Sequence, residues 1–360
     1  MKNLLSISLN HSHRYFHGIY IVLLSFGMLF TSCDDDEDTT ANPNASYQQV
    51  NLVASGSGYN AAKIDSNLVN AWGVAIAPTG AFWIASTGRN LTTVYDRTGL
   101  TLVPPIIVGG EPTGVVYNSS LDFLIPTTSL VSKYIYVGEE GSVYSWSAGT
   151  LAVKVADHSA NGAVFKGVAM GTDDGDNFIY IANFAEAKIE VLDKNFNPVY
   201  SKPFSDPNIP VGFAPFNIKN IDGKLYVMYA LQSGDKYDDV SGAGNGFVSI
   251  FNTDGSFIKR FASQGTLNSP WGIAEAPDDF DQGSNAILVG NFGDGRINVY
   301  NKDGEYKGQL KDGDVPIVID GLWSLTFPSN GNPAGDQNQL FFTAGPDNEE
   351  DGLFGYIKLR

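Results

Sequence analysis

A chain of 360 residues with 22 Lys and Arg against 39 Asp and Glu carries a formal charge of −17 at neutral pH. That charge repels phosphate backbones and acidic lipid headgroups, which argues against nucleic acid and anionic membrane surfaces as partners. A single cysteine permits no intramolecular disulfide.

The chain opens with Lys2 and Arg14 ahead of the apolar stretch Ile19–Phe30, which ends in FTSC. The stretch is too short to span a bilayer, so residues 1–32 read as a signal peptide. Its end resembles a bacterial lipobox. The resemblance implies that Cys33 becomes the lipidated first residue of the mature protein, with the membrane reached through that anchor only. Residues 33–46 (CDDDEDTTANPNAS) form an acidic tether with nothing to bury. An acidic run directly after the cysteine resembles the surface-export signal of Bacteroidetes lipoproteins. The expected location is the cell envelope, at the outer membrane or cell surface.

Loss of the leader leaves 20 basic residues against 39 acidic, a net charge of −19, and His158 as the last histidine. A zinc site built on several histidines is thereby excluded, and a Ser-His-Asp triad would have to use His158. Thiol catalysis is excluded once Cys33 is lipidated. A lone histidine in VADHSANG is weak evidence for catalysis.

From Tyr47 onward the sequence repeats. The phrases NAWGVAIAP, EPTGVVYNS, FKGVAMGT, APFNIKNI, SPWGIAEAP and GLWSLTFP align at Gly73, Gly114, Gly167, Asn217, Gly272 and Ser324. The spacing is about 50 residues, the range of propellers and solenoids. Each unit then continues with an apolar run such as AFWIAST, NFIYIANF or NAILVGNF, a strand buried on both faces. An alternating third strand follows (GSVYSW, GRINVYN), then a turn such as NTDG or NKDG into a polar fourth strand. Long helices are not predicted. Six units predict an all-β, six-bladed β-propeller over 47–360. The last unit stops after GLFGYIKLR, so the stray strand YQQVNLVAS at 47–55 is expected to complete it and close the ring.

NLVNAWGVA, APFNI, LNSPWGIA, ILVGNFGDGRI, VIDGLWSL and FTAGPDNEEDGLFG together resemble an uncharacterised bacterial family of secreted six-bladed propellers. The likeness covers residues 47 to 360. Lys236-Tyr237-Asp238-Asp239 stands where that family carries KHDD, so no histidine role carries over there. More loosely the repeat is similar to NHL and gluconolactonase-type propellers, which implies either a binding platform or a calcium-dependent lactonase. Architecture alone does not choose between them.

In such a ring the starts of first strands and the ends of second strands surround one mouth of the central channel. The second-strand positions are Ser86, Glu139, Asn183, Tyr229, Asn291 and Ala344. The first-strand positions are Asn70, Glu111, Lys166, Phe216, Ser269 and Asp320. Asn70, Glu111, Glu139, Asn183, Asn291 and Asp320 therefore form the expected ligand-binding face. Carboxylate and amide oxygens suit Ca²⁺, for which Glu111, Asn183, Asn291 and Asp320 are the expected ligands.

Two long insertions, 231–246 and 344–352, add Asp238, Asp239, Asp294 (from the shorter GNFGDG), Asp347, Glu349 and Asp351 to an acidic rim. The acidic turn GTDDGDN at 171–177 belongs to the opposite face. Trp72, Trp271 and Trp323 recur at one repeat position and are expected to pack between blades. The predicted function is a propeller binding face for a glycan, a peptide or another envelope protein. The alternative is a calcium-dependent hydrolase of lactonase type at the channel mouth, with the ion polarising a carbonyl.

Overall fold

Each repeat folds as an antiparallel sheet in a computed structural model that describes residue 42, residues 45–283 and residues 285–360. The expected signal peptide, Cys33 and most of the tether lie outside the described residues. Blade 1 comprises Ala71–Ile76, Phe82–Ser86, Leu91–Tyr95 and Ile106–Ile107. Blade 2 comprises Pro112–Tyr117, Tyr134–Gly138, Ser142–Trp146 and Val153–Asp157. Blade 3 has Phe165–Asp173, Asp176–Asn183 and Lys188–Leu192.

Blade 4 has Phe213–Ile221, Lys224–Leu231, Gly246–Phe251 and Phe257–Ser263. Blade 5 has Pro270–Glu275, Ile287–Asn291, Ile297–Tyr300 and Tyr306–Gln309. Blade 6 has Leu322–Thr326, Leu340–Ala344 and Leu353–Leu359 from the C-terminal end of the chain. The expected six-bladed propeller is the fold.

The second strands are buried along most of their length, and Phe82–Ser86 entirely, whereas a fourth strand such as Tyr306–Gln309 has no buried residue. Burial therefore falls from the axis outward, and the sequence follows it from continuous apolar runs to polar ones. Blade 3 departs from the expected pattern, because its sheet has three strands among the described residues. Only the bridge between Leu192 and Pro198 marks where a fourth would start. Pro198 and Pro203 bring no backbone N–H to a ladder, which accounts for the short pairing.

The ring closes as expected. Tyr47–Ala54 pairs antiparallel with Leu353–Leu359, Tyr47 lying opposite Leu359 and Ala54 opposite Leu353. The Ser55 and Tyr59 hydroxyls donate to Asp351 at 2.7 and 2.6 Å and pin the clasp at its far end. Tyr47 is fully buried and donates to the Phe280 carbonyl of blade 5. Its burial pushes the phenol up to about 12.

The small residues that align the repeats sit where neighbouring innermost strands touch. A Cβ on Gly73 would lie 2.5 Å from the Thr113 carbonyl oxygen, and one on Gly272 equally close to that of Trp323. Where the repeat carries a polar residue instead, its side chain serves the next blade. Asn217 donates to the Trp271 carbonyl at 2.8 Å, and Ser324 to that of Trp72 at 2.9 Å. These bonds satisfy strand carbonyls that face the channel rather than a partner strand.

Candidate functional site at the upper mouth

Strand register defines the two faces. Ala71 lies opposite Ser86, Phe165 opposite Asn183, Pro270 opposite Asn291 and Leu322 opposite Ala344. First-strand starts and second-strand ends thus share one face, the upper one, while the turn at Asp173–Asp176 falls on the lower face. Asn70 and Glu111 take positive φ angles of 45° and 51° just before their strands. Left-handed backbone at non-glycine residues costs on the order of 1 kcal/mol each and concentrates where geometry serves a site.

The floor of the mouth is aromatic. Trp323 stacks on Trp72 at 3.7 Å between ring centres and on Phe292 at 3.8 Å, and meets Trp271 at 5.9 Å. Phe184 and Phe216 complete the cluster. Rings from blades 1, 3, 4, 5 and 6 touch one another only by meeting near the axis, so they separate the upper mouth from the channel below. The tryptophans thus do more than pack neighbouring blades. The Trp323 indole N–H donates to Asn70 at 2.8 Å, and that of Trp271 to the Lys166 carbonyl at 3.0 Å.

Lys166 stands on this floor, its side chain 3 % exposed and paired with Glu139. Its ammonium lies 5.3 Å from the Trp72 ring centre, 4.9 Å from that of Tyr237 and 3.8 Å from Asp238. Tyr237, from the 231–246 insertion, crosses the mouth and donates to Glu111 at 3.2 Å. Glu349, from the other insertion, accepts a hydrogen bond from Asn70. Burial, helped by the charges of Glu139 and Asp238, lifts the Glu349 carboxyl to about 7 against the opposing pull of Lys166 and Asn70. Glu139 is likewise raised, by burial that outweighs the attraction of Lys166. The two insertions therefore reach the mouth and bring a carboxyl poised near neutrality to a buried ion pair.

The expected residues divide into three groups. Glu139 and Asp238 meet Lys166 itself, and Asn70 joins the same cluster through Glu349 and Glu111 through Tyr237. Asp239 sits at the root of the same insertion, bridged to Gln232, with its carboxyl raised by burial. Asn183, Asn291, Asp294, Asp320 and Asp347 tie loops of the upper face to one another. The Asn183 amide donates to Glu186 and Glu190, and that of Asn291 to Asp294 and the Thr266 carbonyl. Asp294 also pairs with Arg296 at 3.1 Å, and Asp320 accepts the Asp347 backbone N–H at 3.0 Å. Asp351 belongs to the clasp, where the Tyr59 and Ser55 hydroxyls hold its carboxyl down.

The four expected Ca²⁺ ligands do not make a cage as they stand. Glu111, Asn183, Asn291 and Asp320 share no hydrogen-bond partner among the described residues, and the side-chain oxygens of Asn183 and Asn291 accept backbone N–H groups. Among the described residues no three Asp, Glu, His or Cys side chains are disposed to hold one metal ion.

Lys166 and Glu349 are the members of this cluster that the expected ligand-binding face left out. Each stood in view, one in the first-strand ring and one among the rim acids. The available signal was a single lysine in a ring of otherwise acidic, amide, hydroxyl and aromatic positions. His158 is engaged with Glu190 at 2.7 Å, outside this cluster. Burial pushes the Glu190 carboxyl up, but His158, Asn183 and Lys188 overcome it and hold it at about 2.

No family model matches the sequence. The mimivirus protein R648, of uncharacterised function, is 36 % identical over 329 residues, spanning 86 % of this chain and 80 % of its own. It is viral, whereas the sequence resemblance above is to a bacterial secreted family. Among solved structures, the Xanthomonas campestris gluconolactonase XC5397 superposes with a TM-score of 0.53 at 13 % identity, covering 89 % of this chain and 98 % of its own. A Staphylococcus aureus virginiamycin B lyase with quinupristin gives 0.52 at 13 % identity, covering 88 % and 99 %. At such identities the likeness is one of fold.

Proposed function

The chain belongs to the propeller family of the mimivirus protein R648, and on that premise we propose that it is a binding module whose ligand seats on the upper mouth. One observation carries the reading. Lys166 is buried over an aromatic floor among more carboxylates than one cation neutralises. Neither ring closure nor blade packing calls for that cluster, since the inner strands already satisfy their carbonyls through Asn217 and Ser324.

The surplus of Glu111, Asp238 and Glu349 favours a ligand with basic or hydroxyl groups. A glycan, or a basic peptide segment of another envelope protein, fits that chemistry, and Tyr237 and the tryptophan floor supply its apolar contact. Anchoring through Cys33 and the acidic tether would present this face in the cell envelope. The test is a glycan and basic-peptide array probed with the propeller, followed by Glu349→Gln and Tyr237→Phe. Capture that both variants weaken at least tenfold supports the reading. Capture indifferent to both places the ligand elsewhere.

A second reading rests on the Glu349 carboxyl, held at about 7 near Lys166. In a lactone hydrolase, the reaction of the gluconolactonase that shares this fold, Glu349 would take a proton from the attacking water. Lys166 would stabilise the oxyanion formed at the carbonyl. Turnover of gluconolactone, lost in Glu349→Gln, would establish it. A wild-type protein that leaves a panel of lactones at the uncatalysed rate retires it.

A further inference from the structure

The lower end of the channel differs in kind from the upper. Below the aromatic floor the channel narrows to about 30 Å³, lined by Gly73, Gly114, Asn217, Lys219, Gly272 and Ser324 among others. That is room for little more than one water. It then opens on the lower face into a vestibule of about 300 Å³ walled by Val74, Val116 and Met170 together with the polar Asn220, Ser329 and Asn332. Lys219 lines both spaces. No hydrogen bond, ion pair or aromatic ring engages its ammonium among the described residues, and no Asp, Glu, His or Arg lines either space. Tyr117 is the other titratable group on the vestibule wall.

The Lys219 amine is half-buried and has no counter-charge in either space, so it lacks the partner that a charge withdrawn from water requires. A carboxylate supplies that partner and makes a charge-assisted hydrogen bond, stronger than a neutral one. The walls would take an apolar body attached to it. We propose that the lower vestibule is a second binding site, for a small monocarboxylate with an apolar body, and that Lys219 holds the carboxylate. The size and lining match those of small-molecule sites, which are mostly apolar with a few placed polar groups. The acidic surface elsewhere does not oppose this, because no carboxylate faces the amine.

Burial lowers the Lys219 pKa, and burial is the sole cause of the shift. An anion at the ammonium reverses the shift, so binding takes up a proton as pH approaches the lowered value, and affinity falls as pH rises through it.

The experiment is calorimetric titration of the intact propeller with benzoate, beside its neutral isostere benzamide, in buffers of different ionisation enthalpy. The expected result is saturable one-to-one binding of benzoate with a Kd of about 1 mM or below. Benzamide should bind at least tenfold more weakly, with net proton uptake on benzoate binding at alkaline pH. Lys219→Met should lower benzoate affinity at least tenfold. Equal affinity for benzamide, no saturable heat with benzoate, or unchanged benzoate binding in Lys219→Met would each overturn the assignment. The benzamide comparison and the proton count need only the wild-type chain, so they decide the matter even if the variant folds poorly.

Discussion

At the upper end of the channel Lys166 meets Glu139, Asp238 and two aromatic rings, whereas at the lower end Lys219 meets no charge at all. Both lysines stand on first strands, Lys166 near the start in blade 3 and Lys219 near the end in blade 4. What separates them is the connecting chain around each end. The upper face receives the insertions 231–246 and 344–352, which carry Tyr237, Asp238 and Glu349 inward. The vestibule is walled largely by the strand ends themselves. A propeller thus gains polar chemistry where its loops are long and keeps apolar walls where its own strands form the lining.

The largest expected effect tests the frame that both ends share. A chain beginning at Asn60 loses the strand Tyr47–Ala54, exposes the edge Leu353–Leu359 and frees Asp351 from Tyr59 and Ser55. It should lose cooperative melting or aggregate, a defect of several kcal/mol at the severe end of single lesions. Full stability of that truncation would mean that the ring closes without its clasp.

The next pair breaks the comparison directly. Lys166→Met strands Glu139 in a buried position and should destabilise by about 3 kcal/mol or more at pH 8, and by less at pH 5, because a carboxyl raised by burial sheds its charge more easily as pH falls. Lys219→Met removes an amine that nothing pairs and should be neutral, or stabilising by about 1 kcal/mol. Denaturant titrations at the two pH values check both. Equal costs would show that the two lysines have equivalent surroundings.

Much of this was legible in the sequence, and the reason is repetition. Six copies of one strand pattern predict the blades, and Gly73, Gly114, Gly167 and Gly272 mark the inner contacts because no Cβ fits there. The face carrying the mouth followed from strand direction, and so did the clasp at 47–55. The partners within the mouth did not follow, because side chains from different blades meet across the axis without a sequence spacing to record it. Asn183 and Asn291 looked like convergent ligands but turn to the loops on either side of them, their own and the one leading into their blade. Asp351 looked like rim acidity and serves the clasp instead. The short pairing in blade 3 was written in Pro198 and Pro203, a local signal that the strength of the repeat hid.

A smaller effect concerns Glu349 alone. Its carboxyl is raised from 4.5 to about 7, chiefly by burial, so the folded state favours the protonated form. The sign follows from linkage. A raised acid leaves stability intact below the unfolded value, and destabilises progressively as pH climbs from about 4.5 through about 7. Glu349→Gln keeps an acceptor for Asn70 and removes the charge. It should therefore match wild type near pH 4 and exceed it by about 1–3 kcal/mol at pH 8. A variant that is less stable at pH 8 would mean that the ionised carboxylate is held by Lys166 after all.

The smallest expected effect is none, and it bears on the ion that the resemblance to gluconolactonase-type propellers implies. An ion that binds only the folded chain raises stability by about 2.7 kcal/mol at a hundredfold excess over its Kd, and chelation takes that away. At this mouth the central positive charge is already Lys166, fixed to Glu139. Glu111 accepts from Tyr237, Asp320 from the Asp347 backbone, and the Asn183 and Asn291 oxygens from neighbouring N–H groups. Calcium would have to break these bonds and sit beside an ammonium, a repulsion that the excess of carboxylates offsets only in part. The melting temperature should therefore be the same in EDTA and in millimolar calcium, as read by differential scanning calorimetry. A rise of several degrees with calcium, abolished by Glu111→Gln or Asp320→Asn, would show that the loops rearrange around an ion. The two ends of the channel would then differ by a metal as well as by their lysines.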